Sequence, residues 1–181
     1  LPETSDMRTI EAAGKVLAEG IANIILVGDK EDIMSRAGDI DLSGASFVDP
    51  KNYEKFDEYV DAFVEMRRKK GMTEARAKEL LLTNPLYFGC MMVKQDDADG
   101  MVAGAINASA DVLRAALQTL KTAPGTRIVS AFFLVVVPDC QYGANGTFVF
   151  ADAGLNQSPS ASELADIAEQ SAKSFELLVD E

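Results

Sequence analysis

The sequence predicts an α/β fold, in which a mostly parallel sheet is covered by helices on both faces to give three α/β/α layers. Short apolar runs alternate along the chain with segments whose apolar residues recur every three or four positions, the spacing of a helix with one buried face. The run at residues 21–27 is also rich in β-branched residues, which is typical of a strand buried on both faces of a parallel sheet. The 181 residues are enough for one core, or for one domain and part of a second.

The first helix is predicted to end at Glu19, because Gly20 is the kind of residue that commonly follows the end of a helix. Three polar residues are candidates to cap its start. Those three residues are Thr4, Ser5 and Asp6. The elements expected next are a strand at 21–27, a short helix at 30–37 and a short strand at 45–48. Asp49 and Pro50 then open a long helix, since proline suits the first helical position, and Gly71 ends it.

The buried face of that long helix is marked by apolar residues at steps of three or four: Tyr53, Phe56, Tyr59, Val60, Phe63 and Met66. Thr73 is expected to cap a helix over residues 74–82, and Asn84 caps another that ends at residue 94. Residues 101–105 are expected to form a buried strand, and residues 108–121 a helix.

The last third of the chain has a different pattern, with strands at 127–137 and 147–151 in succession around a turn. A final helix begins at Ser160 or Ser162 and runs to residue 179. We therefore predict a domain boundary near residues 122–126, with an α/β domain over 1–123 and the start of a second over 124–181. Both ends look cut, so we expect the chain to be part of a longer protein.

The composition excludes several classes of function. A net charge of −12 disfavours nucleic acid and anionic membranes as partners, and no apolar run has the length of a membrane span. Two cysteines suit a reducing cytoplasm better than a disulfide scaffold. The chain has no histidine, which removes the usual general base and the commonest zinc ligand. A site must therefore use aspartate, glutamate, arginine, serine, asparagine or backbone groups.

The segment 100–114 is the most informative part of the chain. A short apolar run meets a turn of small residues and then a helix, so an anionic ligand could approach the unpaired N–H groups of the helix start. Arg114 adds a positive charge about two turns into that helix. Such a junction is a ligand site in many open α/β sheets. Small residues at a turn are also common for packing alone, and this alternative stays open.

Other candidate residues also have two interpretations. The basic run 67–70 could hold a polyphosphate, or it could complement the dipole at the end of its helix. The aspartates at 96, 97 and 99 could bind a metal or form a solvated loop. Cys90 lies on an apolar helix face and is expected to pack in the core. Cys140 follows Asp139 in a turn, where it could be exposed. No base lies near it in the sequence, so a role as a nucleophile has little support.

A series of short motifs occurs in one order and one register along the whole chain. They lie at residues 1–3, 6–9, 20–28, 66–73, 87–94, 99–105, 111–114, 117–118, 128–133, 137–143 and 150–152 and at Pro159. Together these motifs resemble the N-terminal part of the phosphate acetyltransferase (phosphotransacetylase) family. Several motifs in the same order are far more specific than any one of them.

The resemblance implies two α/β domains of the isocitrate/isopropylmalate dehydrogenase-like architecture, incomplete here, in a cytoplasmic homodimer. It implies transfer of an acetyl group between phosphate and coenzyme A, with coenzyme A as a substrate and with no cofactor or metal. It places Arg67 in coenzyme A binding and Arg114 in phosphate or coenzyme A recognition. Ser109 is expected to contact acetyl phosphate. Asn107 stands where many members have histidine and can still donate a hydrogen bond.

The family's Ser-Arg pair and aspartate, which are expected to activate the thiol, lie in a C-terminal part that nothing in these residues matches. The catalytic residues therefore stay unknown at this point. Two alternatives remain. One is phosphate butyryltransferase, from the same wider family. The other is a non-catalytic domain, like the phosphotransacetylase-like region of some malic enzymes, which regulates or dimerises.

Overall fold

The structure, a computed structural model, describes residues 1–179 and confirms the α/β class. In these residues the helices and strands follow the order α1 (Met7–Glu19), β1 (Ile25–Val27), α2 (Lys30–Ala37), β2 (Ser46–Val48), α3 (Phe56–Arg67), α4 (Glu74–Thr83), α5 (Pro85–Lys94), α6 (Ser109–Thr119), β3 (Phe132–Val136), β4 (Thr147–Ala151) and α7 (Ala161–Leu178). No helix in this part of the chain is long and apolar enough to cross a membrane.

The strands of the described residues form two separate two-stranded sheets. β1 and β2 are parallel, with Leu26 opposite Phe47, whereas β3 and β4 are antiparallel. The larger sheet with three layers stays a prediction. The chain divides into two compact units, of which the first is Leu1–Lys121 and the second begins at Thr122.

The beginning of the first unit is held by a helix cap and by backbone pairing. α1 starts and ends where the sequence predicts, since Asp6 caps its start and Gly20, with a φ of 66°, ends it. Leu1 lies beside β1. Its nitrogen donates to the carbonyl oxygen of Ile25 at 2.7 Å, and its carbonyl oxygen accepts from the N–H of Val27 at 3.1 Å. The first residues are therefore attached to the edge of β1 opposite β2.

The long helix begins later than predicted. Asp49 caps a short 3₁₀ turn that starts at Pro50, accepting a hydrogen bond from the N–H of Lys51 at 3.0 Å. Tyr53 then has an extended backbone, with a φ of −79° and a ψ of 125°, before α3 starts. Its hydroxyl donates to the carboxylate of Asp97 at 3.1 Å, a contact that the local sequence pattern could not reveal.

The main core of the first unit lies among α3, α4, α5 and α6. α5 is its centre, because residues 86–92 are all buried, and Tyr59 and Phe63 of α3 belong to the same cluster. Cys90 is fully buried in this core, as predicted, and burial raises the pKa of its thiol. A smaller cluster joins α1, β1 and α2 and includes Ile10 and Leu26.

The strand predicted at residues 101–105 is wrong, because residues 101–108 form neither helix nor strand. The backbone N–H groups of Gly104 and Ala105 donate to the carboxylate of Glu3 instead of to a neighbouring strand. The apolar run is therefore an irregular segment that is held by a side chain 101 residues earlier. The helix predicted at 108–121 follows as α6, shorter by a residue or two at each end.

The second unit contains the predicted hairpin and the predicted last helix. β3 is shorter than the expected strand at 127–137. The turn between the strands needs Gly146, which has a φ of 86° and whose added Cβ would lie 2.1 Å from the carbonyl oxygen of Val137. Ser160 caps α7 and forms a capping box with Glu163, which decides between the two predicted caps.

Candidate anion-binding site

A groove of about 430 Å³ opens on the surface of the first unit, next to the end of α3. Its lining comes from the α3 C-terminus, α4, α5 and α6. Four basic side chains, Arg67, Lys70, Arg76 and Arg114, line it together with one carboxylate, Glu79. The groove is therefore locally positive in a chain whose net charge is −12, and its chemistry suits a ligand with several negative charges.

Arg67 is the last residue of α3, and its Nε atom is buried. Among the atoms that the structure describes, this Nε has no hydrogen-bond partner. A buried donor without a partner is costly, so the guanidinium group of Arg67 keeps unused hydrogen-bonding capacity beside the groove. The basic run 67–70 is divided by the structure, because Arg67 and Lys70 line the groove while Arg68 pairs with Glu65 at 3.3 Å.

Arg114 approaches the groove from α6. Its Nη1 atom donates to the carboxylate of Asp111 one turn earlier at 2.5 Å, and the Arg114 side chain is 58% exposed. An exposed pair of this kind contributes little to stability, so a ligand anion can replace the aspartate at low cost. The structure therefore brings Arg67 and Arg114 to one groove, although 46 residues separate them in the sequence.

Tyr87 of α5 is the buried aromatic residue that lines the same groove. Burial raises the pKa of its hydroxyl, while the positive charges of Arg114 and Arg67 act in the opposite direction. The hydroxyl therefore stays protonated at neutral pH and can donate a hydrogen bond. Both arginines and this hydroxyl line the same groove.

The loop before α6 has a different arrangement. Backbone N–H groups converge on the carboxylate of Glu3 from Gly104 at 2.6 Å, Ala105 at 2.7 Å, Ile106 at 3.2 Å and Asn107 at 2.9 Å. The side-chain amide of Asn107 donates to the same carboxylate at 2.7 Å. Consecutive N–H groups around an anion form a nest, a common anion-binding arrangement of the backbone. Here the anion is supplied by the protein itself.

Glu3 is only 2% exposed. Burial alone would raise its pKa, but the hydrogen bonds from the Asn107 side chain and from the backbone of Ala105, Asn107 and Ile106 lower it to about 2. Glu3 is therefore ionised at any physiological pH. The sequence reasoning did not identify this residue as a site residue, because nothing in its neighbourhood indicates a partner beyond residue 100.

The structure places two of the four residues predicted to bind substrate in the groove and two outside it. Arg67 and Arg114 line the groove, whereas Asn107 is bonded to Glu3. Ser109 is exposed at the first position of α6 and lies outside the groove lining. Their roles in binding stay predictions.

Of the aspartates at residues 96, 97 and 99, Asp97 is bonded to side chains of the protein. Asp97 accepts hydrogen bonds from the hydroxyls of Tyr53 at 3.1 Å and Tyr59 at 2.5 Å, and from the ammonium group of Lys55. The hydrogen bond from Lys55 is the largest of the effects that lower the pKa of Asp97. Among residues 1–179, no group of three or more cysteine or acidic side chains is placed to hold a metal ion.

A cationic groove at the end of a helix in an α/β fold is typical of proteins that bind anionic small molecules. Comparison with known families is more specific. A family model described as "Phosphate acetyl/butaryl transferase" matches residues 1–181, and the chain belongs to this family. The resemblance identified in the sequence is thereby confirmed.

Relatives with high identity are phosphate acetyltransferases. Those of Acetivibrio thermocellus and Thermoanaerobacterium thermosaccharolyticum are 53% and 51% identical over 179 residues, which are 99% of this chain and 54% of each relative. A phosphotransacetylase structure from Streptococcus pyogenes gives a TM-score of 0.88 at 36% identity and covers 97% of this chain and 52% of its own. The EutD phosphotransacetylase from Staphylococcus aureus gives 0.84 at 36% identity, covering 96% and 51%. The chain thus spans about half the length of these relatives.

Proposed function

We propose that this chain forms part of a phosphate acetyltransferase, which transfers an acetyl group reversibly between acetyl phosphate and coenzyme A. The observation that carries the proposal is the convergence of Arg67, with its unpartnered buried Nε, and Arg114 on one cationic groove. The family membership and the 53% identity to a phosphate acetyltransferase support it.

The reaction places two demands on this chain. Coenzyme A thiolate attacks the carbonyl carbon of acetyl phosphate, the carbon–oxygen bond to phosphate breaks, and phosphate leaves with the electron pair. Both reactants carry negative charge, so positive side chains must hold them close together against their repulsion. Phosphate is a stable leaving anion, so we propose that the reaction uses no cofactor or metal.

We assign the groove to coenzyme A. Arg67 binds one of its phosphates through its guanidinium group, and Arg114 binds towards the phosphate of the second substrate. The exposed Ser109 at the start of α6 contacts acetyl phosphate, where the helix start also favours an anion. Asn107 acts indirectly, by holding the carboxylate of Glu3. The base that takes the thiol proton is expected outside these residues.

The wider organisation rests on the resemblance. We propose a cytoplasmic homodimer with two α/β domains of the dehydrogenase-like three-layer type, and a boundary close to residue 123. Both cysteines are free thiols, as a reducing compartment requires.

The test is thioester formation from coenzyme A and acetyl phosphate by the full-length protein that carries this chain, followed by the absorbance of the thioester. Turnover that prefers acetyl phosphate over butyryl phosphate supports the proposal. A preference for butyryl phosphate would favour the butyryltransferase alternative, which the matched family also includes. Binding of coenzyme A without turnover would indicate the non-catalytic alternative.

A further inference from the structure

The first eight residues hold the loop before α6 through its N–H groups and through a carbonyl group. The carboxylate of Glu3 accepts from the N–H groups of residues 104–107. On the carbonyl side, Nη2 of Arg8 donates to the carbonyl oxygen of Ala105 at 2.6 Å. Thr4 fixes this segment to the end of β1, because its hydroxyl donates to the carbonyl oxygen of Val27 at 2.7 Å.

The loop requires a charged acceptor at this position. Five donors converge on the two oxygens of Glu3: Oε2 accepts from Gly104 and Ala105, and Oε1 accepts from Ile106 and twice from Asn107. A glutamine would place an NH₂ group, which is a donor, against some of these N–H groups. A shorter aspartate would withdraw the carboxylate by one methylene. The contact is therefore specific to glutamate in both charge and length.

We propose that Glu3 is a positioning residue for the acetyl phosphate end of the substrate site. By fixing residues 104–107, its carboxylate sets the direction in which α6 starts, and with it the place of the exposed Ser109. This inference rests on the proposed function.

The groove lined by Arg67 and Arg114 does not depend on Glu3. α6 is held further along by packing, since Ala115 and Thr119 are fully buried. Arg67 belongs to α3 and Arg76 to α4, which Glu3 does not contact in the described hydrogen bonds. Loss of Glu3 is therefore expected to affect the two substrates unequally. A general loss of folded protein would instead lower the activity and leave both KM values unchanged.

The kinetic experiment compares Glu3→Ala with wild type in the full-length protein. The KM for acetyl phosphate is expected to rise about tenfold or more, with the KM for coenzyme A within about twofold. Formate should restore the KM for acetyl phosphate, because a small carboxylate can enter the vacated nest. The matched control is Glu11→Ala, an exposed glutamate of α1, for which neither KM changes and formate has no effect. Equal or unchanged KM values in Glu3→Ala would overturn the proposal.

A second readout does not depend on activity. Hydrogen exchange of the backbone amides at 104–107 is expected to be slow in wild type, at least tenfold faster in Glu3→Ala, and slow again with formate. Unchanged exchange would overturn the positioning role whatever the activity. The expected exchange pattern in a protein without turnover would instead contradict the proposed function and leave the loop contact standing. If Glu3→Ala does not fold, Glu3→Gln, which keeps the side-chain volume, replaces it in both experiments, and the formate additions are omitted because this side chain still fills the nest.

Discussion

Two regions of the first unit collect hydrogen-bond donors, and they differ in what fills them. At residues 104–107 the donors converge on Glu3, a carboxylate from the protein itself. In the groove, the buried Nε of Arg67 has no partner in the described chain, and Arg114 is held by one exposed aspartate. Filled donors fix the backbone, whereas unfilled donors lower stability until a ligand arrives. The two regions should therefore respond in opposite ways when their central residue is removed.

The largest expected effect is on the filled region. Glu3→Gln should lower the free energy of unfolding at neutral pH by about 3 kcal/mol, since the pKa of Glu3 is about 2 in the folded protein against an ordinary 4.5. Because folding lowers this pKa, the stabilisation is complete above about pH 4.5 and disappears as the pH falls towards about 2. Urea unfolding across this pH range measures the difference between wild type and variant. A difference in the free energy of unfolding that is constant with pH would contradict this prediction. The control variant Glu11→Gln should have the same free energy of unfolding as wild type.

Arg114 tests the unfilled region through turnover. In the full-length protein, Arg114→Ala should reduce kcat about 100-fold, because the proposed function places this positive group beside the leaving phosphate. Its stability should change little, since both partners of its ion pair are about half exposed. Arg68→Ala is the matched control: Arg68 makes a similar exposed pair with Glu65 outside the groove. Wild-type kinetics for Arg114→Ala would remove this assignment.

Arg67 gives the sharpest contrast with Glu3. Arg67→Ala should raise the KM for coenzyme A about tenfold, with a smaller effect on kcat, because one charged hydrogen bond to a phosphate is lost. The free energy of unfolding should stay the same or increase, since the substitution removes a buried donor that has no partner. Steady-state kinetics and urea unfolding measure the two effects. A clear loss of stability would show that Arg67 is a structural residue like Glu3.

The smallest effect is expected from the acidic partner of Arg114. Asp111→Asn removes a charge that competes with the ligand, so the KM for coenzyme A or acetyl phosphate should fall, by about threefold at most. The change should be largest at low ionic strength, because salt screens exposed charges. A rise in both KM values would mean that Asp111 holds Arg114 in its binding position.

The helices were predictable because their signals are local. α2 and α5 have the expected bounds, and Thr73, Asn84 and Ser160 all cap the helices that follow them. The failures share a cause. The delayed start of α3 and the loop at 101–108 depend on partners that lie far away in the sequence.

The candidate site shows the same contrast between local signals and contacts that are distant in the sequence. The resemblance indicated Arg67 and Arg114, and the structure places both in one groove. Spacing alone could not have paired them, because they lie on different helices. Arg76 and Tyr87 carried no role in the sequence reasoning, since only packing shows that they face the same space. Asn107 was expected to bind substrate, and this role stays a prediction; the structure shows that its amide is bonded to Glu3.

The bond between Glu3 and the loop also has a consequence for how the chain folds. It joins residues 101 to 104 positions apart, and contacts that close such long loops form late and slowly. During synthesis, Glu3 leaves the ribosome long before its partners exist. We therefore expect the start of α6 to become ordered near the end of folding, after the helices that form the core of the first unit.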